Sequence, residues 1–376
     1  AKDLAGAVAV TASHNPPEYN GFKMLKGTSA LFGDEIQALA DDMENEASPS
    51  PAGRRGHVEA REIRAAYIED LVGRIRLDRR IKVVVDAGNG VAGLVAPEVY
   101  RRLGCEVIEL YCTPDGTFPN HEADPTVPEA LEDLRDEVVR RGADLGIAFD
   151  GDGDRIGVVD ETGRIAWGDQ LMAIYFREVL AAHPGAPCII EVKCSQALVE
   201  EVERLGGKPF FYRTGHSLIK AKMKELKAPF TGEMSGHMFF ADEFPGYDDA
   251  VYAGARLLRI LARSSESFGA HLDRVPTYEA TPELRVDCPD EEKFAVVEAF
   301  VAAAKRDFEV ITVDGGRLVD PDGWGLVRAS NTGPKIIVRT EGKTREARDR
   351  ILRYIRDRLG VHRSVDLSSL DKYLRA

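Results

Sequence analysis

Ile81-Lys-Val-Val-Val-Asp-Ala-Gly-Asn-Gly90 decides the fold, because an apolar, β-branched run leads directly into a loop that contains two glycines. A helical segment follows this loop, and Leu103-Gly104 then precedes a second apolar run at 107–110. Strand, loop, helix, glycine and strand in this order are typical of a βα unit in a layered α/β domain. The sequence therefore predicts such a domain around these residues.

The same order recurs further along the chain, with apolar runs at 188–192 and 209–212 and a helical segment at 197–204 between them. Each copy continues with a helix and a short strand, which predicts helices at 129–141 and 217–226 and strands at 145–149 and 229–231. Residues 6–16 resemble the end of a third copy, with a strand at 6–10. Its first half is absent, so we expect that residues before Ala1 belong to it.

The last hundred residues have a different order. Strands are predicted at 283–287, 310–313, 317–319, 325–327 and 336–339, and helices at 291–307 and 343–359. Several adjacent strands flanked by helices indicate an α+β domain. The predicted fold is α/β: three related mixed α/β domains, the first incomplete, plus a C-terminal α+β domain with an antiparallel sheet. The predicted domain boundaries are 1–58, 59–164, 165–276 and 277–376.

Composition limits the classes of function. The 376 residues are 44% hydrophobic and 30% charged, as is usual for a globular chain of two to four domains. A net charge of −13 argues against a nucleic-acid or anionic membrane surface, although a local basic pocket could still bind an anionic substrate. The five cysteines are odd in number and have no Cys-x-x-Cys spacing, which predicts free thiols in a reducing cytoplasm.

Asp150-Gly-Asp-Gly-Asp-Arg155 is the strongest functional motif in the chain. Carboxylate oxygens suit a hard cation such as Mg²⁺ or Ca²⁺, and the glycines allow the backbone to bend so that the three acids converge. An EF-hand loop would need glycine at its sixth position, where Arg155 stands, and helices rather than strand-like runs on both sides. A solvated acidic turn without a ligand is the remaining alternative.

Three further loops carry polar groups, and each is weak evidence when taken singly. Thr11-Ala-Ser-His-Asn-Pro16 contains a serine that could be a nucleophile or only a turn former. Gly232-Glu-Met-Ser-Gly-His237 could be an ordinary loop. Arg328-Ala-Ser-Asn-Thr-Gly333 offers guanidinium, hydroxyl and amide donors, which are the groups that a phosphate needs.

Taken together in this order and spacing, the four loops resemble the active-site loops of the α-D-phosphohexomutases. The sugar loop at 232–237, with Arg213-Thr-Gly-His-Ser217 before it, is most similar to the bacterial phosphomannomutase/phosphoglucomutase branch. The phosphoglucosamine mutases usually have Gln where Met234 stands. By this comparison, about 90 residues that normally precede the serine loop are missing, so an incomplete domain 1 could leave Ser13 misplaced.

The resemblance implies a chemistry for the first two loops. Ser13 would be a phosphoserine that exchanges its phosphoryl group with a hexose phosphate, through a hexose 1,6-bisphosphate that also acts as activator. One Mg²⁺ per chain would be held by Asp150, Asp152, Asp154 and an oxygen on Ser13. A cation at this place would screen the acids from the phosphoryl group and stabilise the charge of transfer.

Other residues take their implied roles from the same resemblance. Arg155 and Lys23 would add positive charge beside Ser13. Proton transfer with the sugar hydroxyl could fall to Lys23, His216 or His237, and the sequence does not choose among them; the alternative for each histidine is a structural hydrogen bond, and for Lys23 a solvated surface charge. The residues expected to bind the substrate are Arg213, Gly215, Glu233, Ser235, Arg328, Ser330, Asn331 and Thr332.

Glu233 and Ser235 match the residues that bind the central ring hydroxyls, and the loop from Arg328 matches the one that grips the distal phosphate. A site of this kind should accept both glucose and mannose, which differ only at C2. The expected partners are small-molecule hexose phosphates, with no nucleic acid or membrane, for a monomer or dimer. The alternatives are a phosphoglucosamine mutase, a catalytically impaired phosphosugar-binding fragment, or a non-catalytic calcium-binding module.

Overall fold

The computed structural model describes residues 4–16, 18–45, 56–330 and 333–375. By contact density the chain forms two compact units. The first comprises Ala1–Gly168, Gly215–Phe230 and Ser235–Leu272, and the second comprises Asp169–Thr214, Thr231–Met234 and Asp273–Ala376. The four predicted domain boundaries stay a prediction.

The amino-terminal part of the first unit is a small antiparallel sheet. Its elements are β1 (Gly6–Val10), β2 (Phe22–Lys26), β3 (Ser29–Ala30) and the helix α1 (Asp34–Glu44). Strand β1 pairs with β2 so that Ala9 lies opposite Lys23. The serine loop begins where β1 ends, and the strand predicted at 6–10 is present at those residues.

The central sheet of the first unit carries the acidic motif at 150–155. Its elements are α2 (Arg64–Arg74), β4 (Lys82–Asp86), α3 (Ala96–Arg102), β5 (Glu106–Leu110), α4 (Glu132–Arg141), β6 (Leu145–Phe149), β7 (Ile156–Asp160) and β8 (Ile165–Ala166). The strand order is β5-β4-β6-β7-β8, with β4 parallel to β5 and β6, and with β7 antiparallel to β6. Strands β6 and β7 are buried throughout, as the continuous apolar runs predict.

The middle of the chain repeats the βα pattern. Its elements are α5 (Gly168–Ala182), β9 (Pro187–Glu191), α6 (Gln196–Arg204), β10 (Lys208–Tyr212), α7 (His216–Leu226), β11 (Phe230–Gly232), β12 (Met238–Phe240), α8 (Ala250–Ala262) and α9 (Phe268–Asp273). In the second unit, β9 lies parallel to both β10 and β11. The carboxyl ends of these three strands therefore point toward one edge, where the loops after Glu191, Tyr212 and Gly232 begin.

The carboxyl-terminal part of the second unit is an antiparallel sheet covered by helices. Its elements are β13 (Glu279–Ala280), β14 (Leu284–Asp287), α10 (Lys293–Ala304), β15 (Glu309–Ile311), β16 (Gly316–Asp320), β17 (Gly323–Ala329), β18 (Lys335–Gly342), α11 (Arg345–Leu359) and α12 (Ser368–Arg375). Strands β13, β18, β17, β16 and β15 are neighbours in that order, and β14 also pairs with β18. Helices α10 and α11 pack Phe300 and Ile355 against Leu318 and Val338 in its core. The predicted fold class is confirmed.

Two further features concern the cysteines and the helices. All five cysteines are free thiols, as expected: Cys105, Cys112, Cys188, Cys194 and Cys288. Among the helices of the described residues, none is both long and apolar enough to cross a membrane.

Candidate active site

The acidic motif forms the turn between β6 and β7, in the first unit. Asp150 is fully buried, and its Oδ1 accepts hydrogen bonds from the backbone N–H groups of Gly153, Asp154 and Arg155 at 3.0, 3.0 and 3.1 Å. Arg155 Nε donates to Asp150 Oδ2 at 2.9 Å. The hydrogen bonds of the first aspartate thus fix the shape of the turn.

Ser13 lies against this turn. Its Oγ donates to Asp150 Oδ2 at 2.7 Å and lies 3.2 Å from His14 Nδ1. The residue has φ = +55°, a left-handed conformation that is uncommon for serine and is often associated with functional sites. Its N–H donates to Thr11 Oγ1 at 2.9 Å, and Thr11 in turn donates to Asp152 at 3.0 Å.

A glycine is required where the serine loop meets the turn. A Cβ on Gly151 would lie 2.1 Å from the carbonyl oxygen of Ser13, so no other residue fits without moving the backbone. The glycines of the motif therefore do more than let the acids converge. They also admit the serine loop.

Two cations contact the acids of the turn. Lys23 Nζ, on β2, lies 2.7 Å from Asp152 Oδ2 and also binds Asp154. Arg155 Nη2 donates to Ser13 Oγ at 3.4 Å, and Arg155 Nη1 donates to Asp124 Oδ1 at 3.2 Å. Asp124 lies outside the four motifs and is absent from the sequence prediction.

Burial affects the pKa values of the first two acids of the turn to different extents. Burial, and then the neighbouring Asp154 charge, raise the pKa of Asp150 to about 6. Burial opposes ionisation of Asp152 as well, but the hydrogen bond and charge of Lys23 outweigh it and hold the pKa of that carboxyl below its usual value.

The donor set fits a hard divalent cation. Oxygens of Asp150, Asp152 and Asp154 come within 4.8 Å of one another. Asp152 Oδ1 and Asp154 Oδ1 are buried and accept no hydrogen bond from any described residue. Buried carboxylate oxygens without a partner are costly, and all-oxygen coordination is what Mg²⁺ prefers. The three aspartates, with Ser13 Oγ beside them, could hold one Mg²⁺.

His216 and His237, the two predicted proton-transfer histidines, lie together in the first unit. Their rings stack with centroids 5.3 Å apart. Asp248 Oδ2 lies 3.4 Å from His216 Nδ1 and 3.2 Å from His237 Nδ1, and Lys220 Nζ contacts the other oxygen at 2.8 Å. Burial would raise the pKa of Asp248, but contacts with both imidazoles and Lys220 hold it well below its usual value. His237 Nδ1 is also 3.5 Å from Asp154.

The end of the sugar loop is hydrogen-bonded to the strand that follows the aspartate turn. The N–H of Ile156 donates to the carbonyl of Gly236 at 3.1 Å, and Arg155 pairs with His237 as an isolated antiparallel bridge. Gly236 has φ = +93°, and a Cβ there would lie 2.4 Å from the Ile156 carbonyl oxygen. His237 is therefore positioned by backbone contacts as well as by Asp248.

A separate polar cluster lies in the second unit, at the carboxyl ends of β9, β10 and β11. Its centre is Glu191, which is fully buried. Its side chain accepts hydrogen bonds from Thr214 Oγ1 at 2.6 Å and from the N–H of Met234 at 3.0 Å. Lys193 Nζ lies 3.3 Å from Glu191 and 3.6 Å from Glu283.

The predicted phosphate loop belongs to the same cluster. Arg328 Nε lies 3.0 Å from Asp314 Oδ2, and that oxygen also accepts from the N–H of Thr214 at 3.3 Å. Ser330 is nearly buried, and its N–H donates to the Lys335 carbonyl at 2.9 Å. Asn331 and Thr332 lie outside the described residues.

The remaining predicted binding residues are spread over the two units. Glu233 is buried, and Ser235 is half-buried. Arg213 is exposed, with its guanidinium 5.9 Å from the Tyr212 ring centroid. Gly215 precedes α7 with φ = +135°, a backbone conformation that would be strained in any residue with a side chain. Within the first unit Ser13, Lys23, Arg155 and His237 all contact the aspartate turn, and within the second Arg328 joins the Glu191 cluster.

Sequence reasoning missed Asp124, Asp248, Glu191, Lys193 and Asp314. Glu191 ends an apolar strand, and Asp248 follows Tyr247 in a loop without a repeated pattern. Each of these residues matters because of a contact with a residue that is distant in the sequence. The sequence around each residue therefore shows only a charged side chain.

Comparison with known proteins bears on this geometry. Four domain families described as parts of phosphoglucomutase/phosphomannomutase match the chain: the alpha/beta/alpha domains I, II and III at residues 1–50, 65–163 and 167–278, and the C-terminal domain at 283–358. Together they cover most of the chain.

The names of individual relatives agree with these family matches. The chain is 44% identical to the phosphomannomutase/phosphoglucomutase of Pseudomonas aeruginosa over 94% of its own length and 76% of that protein's. It is 44% identical to a phosphoglucomutase of Neisseria gonorrhoeae over 92% of its own length and 75% of that protein's. A crystal structure of a phosphoglucomutase/phosphomannomutase family protein from Burkholderia thailandensis covers 95% of this chain, with 76% of that chain matched, at a TM-score of 0.89 and 44% identity.

The fold and the four loops define a phosphohexomutase. The chain belongs to the phosphoglucomutase/phosphomannomutase family, within the α-D-phosphohexomutases. The predicted family is confirmed.

Proposed function

We propose that this protein is a Mg²⁺-dependent mutase that interconverts the 1-phosphates and 6-phosphates of glucose, mannose or both. The observation that carries the proposal is the contact between Ser13 Oγ and Asp150 Oδ2 at 2.7 Å, with Arg155 and Lys23 beside it. A serine held among carboxylates and cations is suited to carrying a phosphoryl group. The names of the relatives support the same activity.

The reaction needs two phosphoryl transfers, and Ser13 Oγ takes part in both. In the first, the bond from phosphorus to Ser13 Oγ breaks and a bond to the free hydroxyl of the hexose monophosphate forms, which gives a hexose 1,6-bisphosphate; the hydroxyl loses a proton and Ser13 Oγ gains one. In the second, the other phosphate of the turned bisphosphate returns to Ser13 Oγ, which loses its proton, and the sugar oxygen that is released gains one. The net change is an isomerisation, and the serine ends phosphorylated as it began.

Mg²⁺ would be held by Asp150, Asp152, Asp154 and an oxygen on Ser13, and when bound it supplies positive charge at the transferring phosphoryl group. Arg155 lies close enough to Ser13 to bind the same phosphoryl oxygens. Lys23, now shared by Asp152 and Asp154, is a second source of positive charge beside them.

The proton of the attacking hydroxyl is assigned to His237. This imidazole lies beside the aspartate turn, 3.5 Å from Asp154, and Asp248 orients it from 3.2 Å. A carboxylate that faces Nδ1 fixes the tautomer and leaves Nε2 as the atom that accepts the proton. His216 shares the same carboxylate and supports the stacked pair.

The sugar and the distal phosphate are assigned to the other loops. Glu233 and Ser235 would bind the ring hydroxyls, with Arg213 and Gly215 on the neighbouring loop. Arg328, Ser330, Asn331 and Thr332 would bind the non-reacting phosphate. Because both poses of the bisphosphate must be held, this set has to recognise groups that look alike in the two orientations.

We propose a reducing, cytoplasmic setting for this activity, supported by the five free thiols. The net charge of −13 supports small-molecule partners rather than nucleic acid or anionic membranes. A monomer or dimer is proposed as the assembly.

A coupled assay tests the activity. The protein is incubated with glucose 1-phosphate or mannose 1-phosphate, Mg²⁺ and a trace of glucose 1,6-bisphosphate, and the 6-phosphate product is measured. Turnover of both sugars is expected. Turnover of glucosamine 1-phosphate in preference to both would favour a phosphoglucosamine mutase, and binding without turnover would favour a phosphosugar-binding protein.

A further inference from the structure

The Glu191 cluster contains a continuous path between two loops that the proposed function assigns to different parts of the substrate. The path begins at the N–H of Met234, which lies between Glu233 and Ser235 in the sugar loop. It passes through Glu191 to the Thr214 hydroxyl, from the Thr214 N–H to Asp314, and from Asp314 to Arg328. All of these residues belong to the second unit.

Each contact in the path is within 3.3 Å, and its residues are buried or half-buried. The four separations are 3.0, 2.6, 3.3 and 3.0 Å. Glu191 is fully buried, and the side chain of Arg328 is 9% exposed. Thr214 connects the two halves of the path, since its hydroxyl donates to Glu191 and its N–H donates to Asp314.

We infer that Glu191, Thr214 and Asp314 are positioning residues that hold the sugar loop and Arg328 in one fixed register for the hexose phosphate. The inference rests on the proposed function and adds to it three residues with no assigned role. Both carboxylate oxygens of the buried Glu191 accept a hydrogen bond, and polar groups held in this way are rigid. Rigid placement of binding groups reduces the conformational entropy that is lost when the substrate binds.

Lys193 explains why the central residue is a glutamate. Burial opposes a charge on Glu191, but the nearby Lys193, followed by the hydrogen bonds from Thr214 and Met234, holds the pKa of that carboxyl below its usual value. An ionised carboxylate accepts several hydrogen bonds at once, whereas a glutamine amide would present an N–H₂ group to one of the donors. The charge is therefore needed for the path to be complete.

The test compares Thr214→Val, which is nearly isosteric and cuts the path at its joint, with Glu191→Gln and the control Glu201→Gln. Glu201 is a buried carboxylate of α6 that pairs with Arg177 and Arg204, away from the cluster. Steady-state kinetics on glucose 1-phosphate are measured for each variant together with its folded fraction. If Glu191→Gln folds poorly, Thr214→Val decides the question.

We expect KM to rise about 10-fold in Thr214→Val and at least as much in Glu191→Gln, with kcat within about 3-fold of the parent, since each change leaves a buried partner unsatisfied but does not touch Ser13. Glu201→Gln should match the parent. Loss of kcat in proportion to the folded fraction, with unchanged KM, would show a merely structural role and overturn the inference, as would parental kinetics in both variants. A parent protein without turnover would instead refute the proposed function.

Discussion

The aspartate turn around Ser13 and the cluster around Glu191 are both buried and charged, but they balance their charges differently. At the turn, three carboxylates face Lys23 and Arg155, and two carboxylate oxygens accept no hydrogen bond from the described residues. In the Glu191 cluster, both carboxylate oxygens accept a hydrogen bond, and Lys193 neutralises the charge.

This difference indicates different tasks. A site with unsatisfied acceptors is prepared for a cation and for a charged group in transfer. A site whose buried carboxylate already has both oxygens hydrogen-bonded is suited to holding loops in place. Chemistry is therefore expected at the first region and recognition at the second.

Ser13→Ala removes the atom that carries the phosphoryl group. Turnover should fall at least about 10⁴-fold, because no other described hydroxyl besides that of Thr11 contacts the aspartates. A coupled assay measures it. Ser29→Ala, an exposed serine of the same small sheet, is the matched control and should retain full activity. Residual turnover near the parental rate in Ser13→Ala would remove the chemistry from this region.

Removal of divalent cations should reduce turnover about 10²- to 10³-fold, with recovery when Mg²⁺ is added back. Asp152→Asn should require a higher Mg²⁺ concentration for half-maximal activity, since it removes one of the unsatisfied acceptors. Asp70→Asn, an exposed carboxylate paired with Arg74, should show the parental Mg²⁺ dependence. Full activity in a chelator would contradict the metal assignment.

Asp248→Asn should lower kcat about 10- to 100-fold with little change in KM, because the two histidines lose the carboxylate that orients them. This outcome would place Asp248 with the chemical region. A rise in KM with parental kcat would instead move it to the recognition region, and the division between the two would need to be redrawn.

Two buried carboxyl groups, Asp249 and Glu191, should respond to pH with opposite signs. Burial raises the pKa of Asp249, next to Asp248, to about 6, above the value near 4 of an unfolded chain. Its proton is therefore bound more tightly in the folded state, and stability relative to Asp249→Asn should fall by up to about 3 kcal/mol as pH rises from about 4 to 6. Denaturant unfolding across this range measures the difference.

Glu191 has the opposite shift, since its folded pKa is lowered. Its contribution to stability is present above the unfolded pKa of about 4.3 and is lost as pH falls through the lowered value. The stability difference between the parent and Glu191→Gln should therefore shrink below about pH 4. Slopes of the same sign for the Asp249 and Glu191 pairs would contradict the opposite pKa shifts of these two carboxyl groups.

Much of this arrangement could be predicted from the sequence, and the reason is local. The strands at 145–149 and 6–10 are apolar runs that end in a distinctive loop, so both the elements and their terminal residues are predictable. Ser13 and Asp150 were predicted from motifs, and the structure brings their side chains into contact although 137 positions separate them.

Other features depend on contacts that no local pattern encodes. Asp248 matters because His216 and His237 arrive from two other loops, and Glu191 because Thr214 and Met234 do. The segment predicted as one helix at 129–141 begins as a 3₁₀ turn at Pro128–Leu131 and becomes α-helical at Glu132. Pro128 has no N–H to donate, which suits the first turn of a helix.

The most direct test of the central claim is peptide mass spectrometry after the parent protein is incubated with glucose 1,6-bisphosphate and Mg²⁺. We predict one phosphoryl group, located on Ser13, that is lost when excess glucose 1-phosphate is supplied without the bisphosphate under single-turnover conditions. Active enzyme that carries no phosphate on Ser13 at any point of the reaction, or that carries it on another residue, would contradict the account.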